Sequence, residues 1–389
     1  MNKVIRWLYF KLKKYSENQN KYDSIVNIYS DGKYKNITIP FFRDENNRLI
    51  GIECWMRDVI TLKKKKKVNY RPLYKDESLY IYYYNKALYQ SKEGITQELC
   101  SYALDDIMYC DMIYENGFYA LRSGGTIRIS DNLKNWKLIY QGKRGIKDSM
   151  VFVKTEDGLN LLFIDYTPGT ARERHHIYSY NIKKGELKVK QVFYTFSENQ
   201  EKDLSPCARH LHTIAKDPYT GYIYVGTGDN DWESSIFVSK DNGEHFEMYL
   251  SGSQQYRALS FFFTEKSVFW NTDTHESQAI YRLDKYSSNV ERYPLINGAL
   301  WCTLKYPHKV EGCDFYMMSS NSEGALFDNY NRVYGILIKD ERPLFYELLK
   351  KRSRTKYSQQ FPLGLGAEDN IILYDHEINK SFSYKLILK

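Results

Sequence analysis

The fold is decided by residues Ser205–Ser251, which read SPCARHLHTIAKDPYTGYIYVGTGDNDWESSIFVSKDNGEHFEMYLS. Four runs rich in apolar and aromatic residues are separated here by three turn-forming sequences. The turns fall at Asp217–Gly221, Gly226–Asp231 and Asp241–Gly243, where Gly, Pro, Asn and Asp favour reversal of the chain. This spacing predicts four short antiparallel strands in succession, which together form one complete blade of a β-propeller.

The composition of the 389-residue chain agrees with an all-β fold. Hydrophobic residues make up 42% of the chain and aromatic residues 16%, including 37 tyrosines. Aromatic rings suit the half-buried surface of a pleated sheet, and a helical repeat of apolar residues is nearly absent after residue 20. We therefore predict a single propeller domain over residues 22–389, preceded by a basic amphipathic segment at residues 1–21.

Similar sets of strands precede and follow the blade predicted at residues 205–251. The C-terminal residues 361–388 supply only about three strands, so we expect one N-terminal strand to complete that blade and close the ring. Residues 22–105 should hold the remaining one or two blades. The count predicts seven blades, with six as the alternative. Complete blades are predicted at residues 107–141, 149–197, 256–293 and 300–347.

A motif occupies the turn between the third and fourth predicted strands of the blade at residues 205–251. It reads Ser239-x-Asp241-x-Gly243-x-x-Phe246, and Ser130–Trp136 is a decayed copy without the glycine. The motif resembles the Asp-box of bacterial BNR-repeat propellers, the sialidase-like superfamily, and the resemblance is best over residues 145–305. It implies a propeller whose Asp-box turns stabilise the fold and take no part in catalysis.

The sequence departs from true sialidases in the residues that carry their chemistry. Sialidases resemble one another in an Arg-Ile-Pro motif, an arginine triad and a Tyr–Glu pair, whereas Ile39–Arg43 has similar residues in another order. None of the arginines lies in a motif that aligns with the triad. The resemblance therefore implies a sialidase-like propeller of a subgroup without assigned chemistry, and sialidase activity itself is not expected.

Propeller topology predicts which loops share a face. The start of the innermost strand and the loop between the second and third strands of each blade meet at the same rim. In the blade at residues 205–251, this topology brings Arg209, His210 and His212 close to Asp229. The two neighbouring blades are expected to send further polar and aromatic residues to that rim: Asp165, Tyr166, Arg172, Arg174, His175, His176, Arg257, Asp273 and His275.

His210, His212, Asp229 and Asp273 are the predicted catalytic residues. The two histidines alternate along a strand and therefore face the same side. Imidazoles titrate near neutrality, which suits a general acid and base acting on a sugar. The same histidines are candidate ligands for a divalent metal, and whether one binds is left open. A structural alternative is that they only hydrogen-bond to neighbouring blades.

The remaining candidates are predicted to bind substrate. Arginines can clamp an anionic group, and aromatic rings can stack on sugars. We predict a carbohydrate-active enzyme of glycosidase or polysaccharide-lyase type, acting on an acidic or substituted glycan in bacterial surface-polysaccharide metabolism. The alternative is a non-catalytic propeller that binds a glycan or a protein through the same face. The predicted substrate-binding residues are Arg172, Arg174, Arg209, Arg257, Tyr166, Trp232 and His275.

Cysteine usage and charge suggest a location and partners. The six cysteines form no C-x-x-C pair, and residues 1–14 lack a cleavage site and carry charge within their short apolar run, so we expect the cytoplasm. Residues 1–14 could instead contact an anionic membrane or pack on the outside of the propeller. The net charge of +8 favours acidic partners, but no nucleic-acid motif is present and none is predicted to bind. The run Lys63–Lys67 is predicted to be a solvated loop.

Overall fold

The computed structural model consists of small antiparallel sheets and little else. It describes residues 25–30, 33–38, 42–43, 49–50, 60–92, 95–102, 104, 110–166, 173–274, 279–294, 300–320, 330–352, 360–366 and 368–388. Two short hairpins come first, formed by β1 (Ile25–Ser30) with β2 (Lys33–Thr38) and by β3 (Phe42–Arg43) with β4 (Leu49–Ile50). The predicted segment at residues 1–21 lies outside the described residues. No helix in the described part of the chain is long and apolar enough to cross a membrane.

Seven four-stranded antiparallel sheets follow, and these are the blades. The strand β5 (Ile60–Val68) precedes the first blade in the chain but belongs to the seventh blade. The strands of the first blade are β6 (Arg71–Lys75), β7 (Leu79–Tyr84), β8 (Ala87–Lys92) and β9 (Ile95–Ser101). Those of the second are β10 (Cys110–Glu115), β11 (Phe118–Ser123), β12 (Thr126–Ser130) and β13 (Lys137–Gln141). Those of the third are β14 (Met150–Thr155), β15 (Gly158–Ile164), β16 (His175–Asn181) and β17 (Glu186–Phe193).

The fourth blade is the one that the sequence defined best. Its strands are β18 (His210–Lys216), β19 (Ile223–Gly228), β20 (Ser235–Ser239) and β21 (Glu247–Ser251). The fifth has β22 (Ala258–Phe263), β23 (Ser267–Thr272), β24 (Ala279–Asp284) and β25 (Val290–Pro294). The sixth has β26 (Leu300–Lys305), β27 (Asp314–Ser320), β28 (Tyr330–Lys339) and β29 (Arg342–Arg352). Helical turns occur between strands at α1 (Phe196–Lys202) and as 3₁₀ helices at Asp231–Glu233 and Gln254–Tyr256.

The seventh blade joins the two ends of the described chain. Its inner three strands are β30 (Gln360–Leu365), β31 (Ile371–Asp375) and β32 (Lys380–Leu388), and β5 pairs with β32 as the outermost strand. The innermost strands of successive blades contact one another around the whole circle, including β30 with β6. The predicted seven-bladed propeller and its closure by one N-terminal strand are thus confirmed, and residues 22–105 hold one full blade.

The prediction that Lys63–Lys67 forms a loop was wrong. These lysines lie in β5, which hydrogen-bonds to β32 along its length. The apolar ends of the strand hold it in place, because Ile60 packs between the sixth and seventh blades and Val68 packs against Leu363 and Ile372. Apolar anchors at both ends therefore determine the strand, although its centre has no apolar residue.

The core lies between adjacent blades. Between the third and fourth blades, Leu162 and Phe237 belong to one buried cluster, and Phe246 packs against it. In the adjoining turn, the Ser239 hydroxyl accepts a hydrogen bond from the amide of Gly243 (2.8 Å) and donates one to Asp241 (2.8 Å). The turn that resembles an Asp-box thus fixes the fourth strand against its neighbour.

The chain segment at Lys147 and Asp148 contacts the innermost strands of other blades. The carbonyl of Asp148 accepts hydrogen bonds from the amide of Ile214 (2.9 Å) and the hydroxyl of Thr213 (3.1 Å) in β18. The ammonium of Lys147 donates to the carbonyl of Pro362 in β30, at 3.4 Å. Asp148 also borders two cavities of about 280 and 250 Å³ that innermost strands of several blades line.

Candidate functional site

Asp229 is the centre of a dense polar cluster at the rim where β18 begins and β19 ends. It follows the end of β19, and four side chains from two blades approach its carboxylate. Arg257 Nη2 lies 2.7 Å from Oδ1, and Arg209 Nη1 lies 3.2 Å from Oδ2. His210 Nε2 is 3.3 Å from Oδ2, and His212 Nε2 is 3.6 Å from Oδ1. The structure therefore brings together five of the predicted site residues.

Local backbone geometry explains why both histidines reach Asp229. The register of β18 with β19 shifts between Leu211 and Thr213, so that His212 is an extra residue without a direct partner. Opposite His210 stands Gly228, where a Cβ would lie 2.7 Å from His212 Cε1 and 2.8 Å from Arg257 Cγ. Only glycine leaves room for these side chains, so the residue before Asp229 is part of the site's construction.

Arg257 links the fourth and fifth blades through two carboxylates. Its Nη2 donates hydrogen bonds to Asp229 Oδ1 and to Asp273 Oδ2, each at 2.7 Å. The side chains of Arg257 and Asp273 are each only 11% exposed, so the bridge is largely shielded from water. Charge-assisted hydrogen bonds of this length are the strong ones, and they fix both carboxylates in place.

Asp165 organises the third blade's contribution. It follows β15, and its Oδ2 lies 3.0 Å from His176 Nδ1 while its Oδ1 lies 3.4 Å from His175 Nδ1. The ring of His175 is 6.1 Å from that of His210, and Tyr166 stacks on His210 with centroids 5.2 Å apart. Three successive blades therefore contribute to one continuous cluster, as the sequence predicted.

Burial and charge set the protonation states of these groups. Burial opposes ionisation of Asp229, but contacts with His210 and His212 and the charge of Arg257 outweigh it and hold the pKa of Asp229 well below its usual range. Asp165 is also buried, and its contacts with His175 and His176 lower its pKa to about 2. Burial lowers the pKa of His210, although Asp229 acts in the opposite direction. At neutral pH the cluster thus pairs ionised carboxylates with a neutral His210.

Several buried nitrogens of the cluster lack a hydrogen-bond partner among the described residues. They are Nδ1 of His210, Nδ1 of His212, Nε2 of His175 and Nε of Arg257. Buried polar atoms in folded proteins are nearly always hydrogen-bonded, so a concentration of unpaired ones needs an explanation. All four of these atoms are fully enclosed by the protein.

Three residues of the cluster have the composition of a metal centre. His212, Asp229 and Asp273 offer ligand atoms that lie within 4.8 Å of one another. The guanidinium of Arg257, however, bridges the two carboxylates and already supplies the positive charge between them. His210 is not a member of this group. In this arrangement the residues do not fit a divalent cation, because it would meet the charge of Arg257.

A groove of about 300 Å³ opens beside the cluster. Trp232 lies on its wall with 56% of its surface exposed, and its ring is 5.3 Å from that of Phe196 in α1. Arg209, with a side chain 36% exposed, lines the groove and also contacts Asp229. The full lining consists of Glu173, Thr195, Phe196, Ala208, Arg209, Asn230, Trp232 and Glu233.

Phe196 is a member of the groove that the sequence reasoning missed. The sequence does contain a signal for the helix that carries Phe196, because Thr195 and Glu198 have the spacing of a capping box and form one at the first turn of α1. The turn at Asp231–Glu233 is stabilised in a similar way by Glu233, which accepts from the amide of Asn230 at 3.1 Å. Two short capped turns therefore present the aromatic wall.

Arg174, another predicted substrate-binding residue, is not part of this cluster. Arg174 pairs with Glu198, with Nη2 2.7 Å from Oε1, and its guanidinium lies 5.3 Å from the ring of Tyr194. Half of the Arg174 side chain is exposed to solvent. Arg172 and His275 lie outside the described residues. A role for these three in substrate binding stays a prediction.

Comparison with known proteins leaves the fold as the firm result. No family model and no curated protein matches the chain. It is similar to the extracellular domain of a putative hybrid two-component system from B. thetaiotaomicron (14% identity, TM-score 0.49, 83% of this chain and 39% of that one). It is also similar to an ancestral GH74 enzyme (9%, TM-score 0.49, 85% and 48%). The chain spans less than half the length of these two structures, and likenesses this weak carry no argument about function.

Proposed function

We propose that the protein recognises an acidic glycan in the groove beside Asp229. Arg209 would contact the anionic group, and Trp232 would stack against a sugar ring. The single observation that carries the proposal is that Arg209, which contacts the carboxylate of Asp229, lines the same groove as the exposed ring of Trp232. A ligand in the groove would thus meet both an exposed aromatic wall and a guanidinium that the cluster holds in place.

The lining of the groove supports an anionic ligand that also has apolar faces. Arg209 is the one cation among the lining residues, and its planar guanidinium suits a carboxylate or a sulfate. Trp232 and Phe196 supply an exposed aromatic surface, and Asn230 adds an amide. The lining also contains two carboxylates, but Glu173 pairs with Lys143 and Glu233 accepts hydrogen bonds from Asn230. Apolar surface with convergent polar groups is typical of sites for small ligands. Sugars combine both requirements, because their C–H faces stack on aromatic rings and their hydroxyls bond to polar groups.

Catalysis on the bound glycan is the second candidate function, and the state of His210 favours it. When its Nε2–H points to the ionised Asp229, its Nδ1 carries a lone pair that can accept a proton. Asp229 is unsuited to the general-acid role in hydrolysis, because that role needs a protonated carboxyl and Asp229 is held ionised. Elimination suits the cluster better, with His210 as base and arginine stabilising the anion. The burial of the His210 side chain, 7% exposed, favours recognition without turnover.

Binding of uronic-acid oligosaccharides tests the proposed recognition. We expect Arg209→Ala and Trp232→Ala each to weaken binding by about tenfold or more, since each removes an interaction of roughly 1.5 kcal/mol or more. Lys184→Ala is the control, because it removes an exposed cation that is paired with Asp157 outside the cluster and the groove. Isothermal titration calorimetry with acidic oligosaccharides and with their neutral, carboxyl-reduced counterparts gives the affinities. Equal affinity for acidic and neutral oligosaccharides, or equal losses in all three variants, would contradict the proposal.

His210→Ala then separates recognition from catalysis. A general base contributes on the order of 100-fold or more to turnover, so an enzyme should lose at least that factor while it retains much of its ligand affinity. A binding protein should show no product at any enzyme concentration, and the variant should alter affinity alone. Ultraviolet absorbance of the unsaturated sugar reports elimination, and reducing-end release reports hydrolysis.

A further inference from the structure

We propose that the outer edge of the seventh blade is a second anion-binding site that takes a linear anionic polysaccharide. The site is a lysine strip, defined as Lys63–Lys67 of β5 together with Lys385 of β32. It belongs to the seventh blade, whereas the Asp229 cluster is built from the third, fourth and fifth. The inference therefore does not depend on what binds near Asp229.

The strip is an ordered and exposed row of charges. β5 is the outermost strand of its sheet and pairs with β32 only, so its other edge is not bonded within the blade. All six lysine side chains are exposed. The five consecutive lysines span about 14 Å at ~3.4 Å per residue. The strand pairing fixes the backbone positions of these lysines, which a solvated loop would not do.

The charges of the strip are uncompensated. None of its six lysines forms an ion pair with a carboxylate in the described part of the chain, whereas Lys143, Lys184 and Lys190 elsewhere each do. Lys385 stands directly opposite Lys63 in the strand register, a like-charge arrangement that destabilises a sheet. Lys64 is held over the ring of Phe382 at 3.5 Å. The fold thus tolerates repulsion that a polyanion would relieve.

Protection of the sheet edge accounts for only part of this arrangement. Charged side chains and bulges prevent edge strands from pairing with other molecules, and β5 has a register shift beside Lys65 opposite Ser383 and Tyr384. Protection of an edge strand needs only a few charges of either sign, however. Lysines paired with acidic residues would protect the edge equally well. Reversal of the charge distinguishes the two explanations, because acidic residues would still protect the edge but would repel a polyanion.

The shape of the strip favours a linear polysaccharide over other polyanions. Side chains of a strand project to both faces of the sheet, so a flexible chain that follows the edge can contact more of them than a flat membrane can. Binding of single-stranded nucleic acid commonly uses aromatic rings that stack on bases, and the ring of Phe382 is already covered by Lys64. Repeating carboxylates or sulfates along a sugar chain therefore complement the strip best.

Charge reversal tests the proposal with a labelled heparin oligosaccharide as the probe. We expect the triple variant K63E/K65E/K67E to bind it at least about tenfold more weakly at low salt, because several contacts to its anionic groups are lost. The control K134E/K183E/K188E has the same net charge but alters exposed lysines of the second and third blades, and its affinity should change by less than about threefold. The variant K63R/K65R/K67R keeps the charge and should retain binding. Fluorescence anisotropy gives the affinities, and gel filtration shows that each variant elutes at the same volume as the wild type.

Three outcomes would overturn the proposal. Equal losses in the strip variant and its control would mean that heparin responds to net charge alone. Wild-type binding to phosphatidylserine vesicles or oligo(dT), with none to heparin, would assign the strip to a different polyanion. Aggregation of K63E/K65E/K67E would make the double variant K63Q/K67Q decisive, and unchanged heparin affinity there would refute the site. Both lysine variants keep the Asp229 groove intact, and repeating the comparison in an Arg209→Ala background removes the contribution of heparin bound there, so this test and the test of the groove fail independently.

Discussion

Replacement of Asp229 by Asn is the sharpest test of the polar cluster that surrounds it. The substitution keeps the size of the side chain but removes its charge and turns one acceptor oxygen into a donor NH₂ group. That group would face Arg257, Arg209 or the histidines, all of which donate toward Asp229 in the native arrangement. The variant therefore loses attraction and gains a buried donor without an acceptor.

The expected loss of stability can be worked out from the contacts. The hydrogen bond from Arg257 Nη2 at 2.7 Å is charge-assisted and largely buried, and such bonds contribute about 1.5–3 kcal/mol. Breaking a buried ion pair costs about 3–5 kcal/mol, and Arg257 keeps its bond to Asp273, which places Asp229→Asn at the lower end. We expect a decrease of about 3 kcal/mol in the free energy of unfolding at pH 7. The domain should still fold, since typical stabilities are about 5–15 kcal/mol.

The pH dependence has a definite sign. The pKa of Asp229 is lower in the folded protein than its value of about 3.9 in the unfolded chain. Its stabilising contribution is therefore complete above the unfolded pKa and is lost as the pH falls toward the folded one. The stability gap between the wild type and Asp229→Asn should be constant from about pH 6 to 8 and should narrow below about pH 4.

Urea unfolding followed by tryptophan fluorescence at pH 7, 5 and 3.5 measures this gap. Asp157→Asn is the control, because the Asp157 side chain is 64% exposed and pairs with Lys184 at the surface, where ion pairs contribute about 0–1 kcal/mol. A gap below about 1 kcal/mol for Asp229→Asn at pH 7 would refute the argument that the cluster is a strongly coupled buried network. A gap that widens as the pH falls would refute the assigned charge state.

Three further changes test other parts of the structure. Burial raises the pKa of Asp148 to about 7, so ionisation of this carboxyl at higher pH destabilises the folded state. The variant Asp148→Asn should therefore melt at a higher temperature than the wild type at pH 8 but not at pH 4. Gly228→Ala places a Cβ 2.7 Å from His212 Cε1 and should destabilise the protein by about 1–3 kcal/mol in urea unfolding. The same variant should weaken glycan binding, and unchanged binding would show that Gly228 is not needed for the binding site. Ser239→Ala removes the hydroxyl that accepts from the amide of Gly243 and should cost about 1 kcal/mol in urea unfolding without altering ligand affinity.

Much of the fold was predictable because a propeller blade is a local structure. Each strand of a blade pairs with the next one along the chain, so apolar runs and turn residues such as Asp241–Gly243 indicate both the strands and their order. The grouping of His210, His212, Asp229 and Arg257 came from the same regularity, because blade topology fixes which loops share a rim. Their roles in binding or catalysis remain predictions.

The sequence by itself determined the strand pattern, the repeat and the face on which the polar residues collect, because these depend on contacts between near neighbours in the chain. Only the tertiary structure decided that Lys63–Lys67 is a strand, that Arg257 occupies the space between Asp229 and Asp273, and that Trp232 and Phe196 meet in a groove. Each of these features depends on a partner that is distant in the chain or on the exact position of a side chain. No periodic pattern records such long-range packing, since it is fixed only when the ring closes and distant surfaces come into contact.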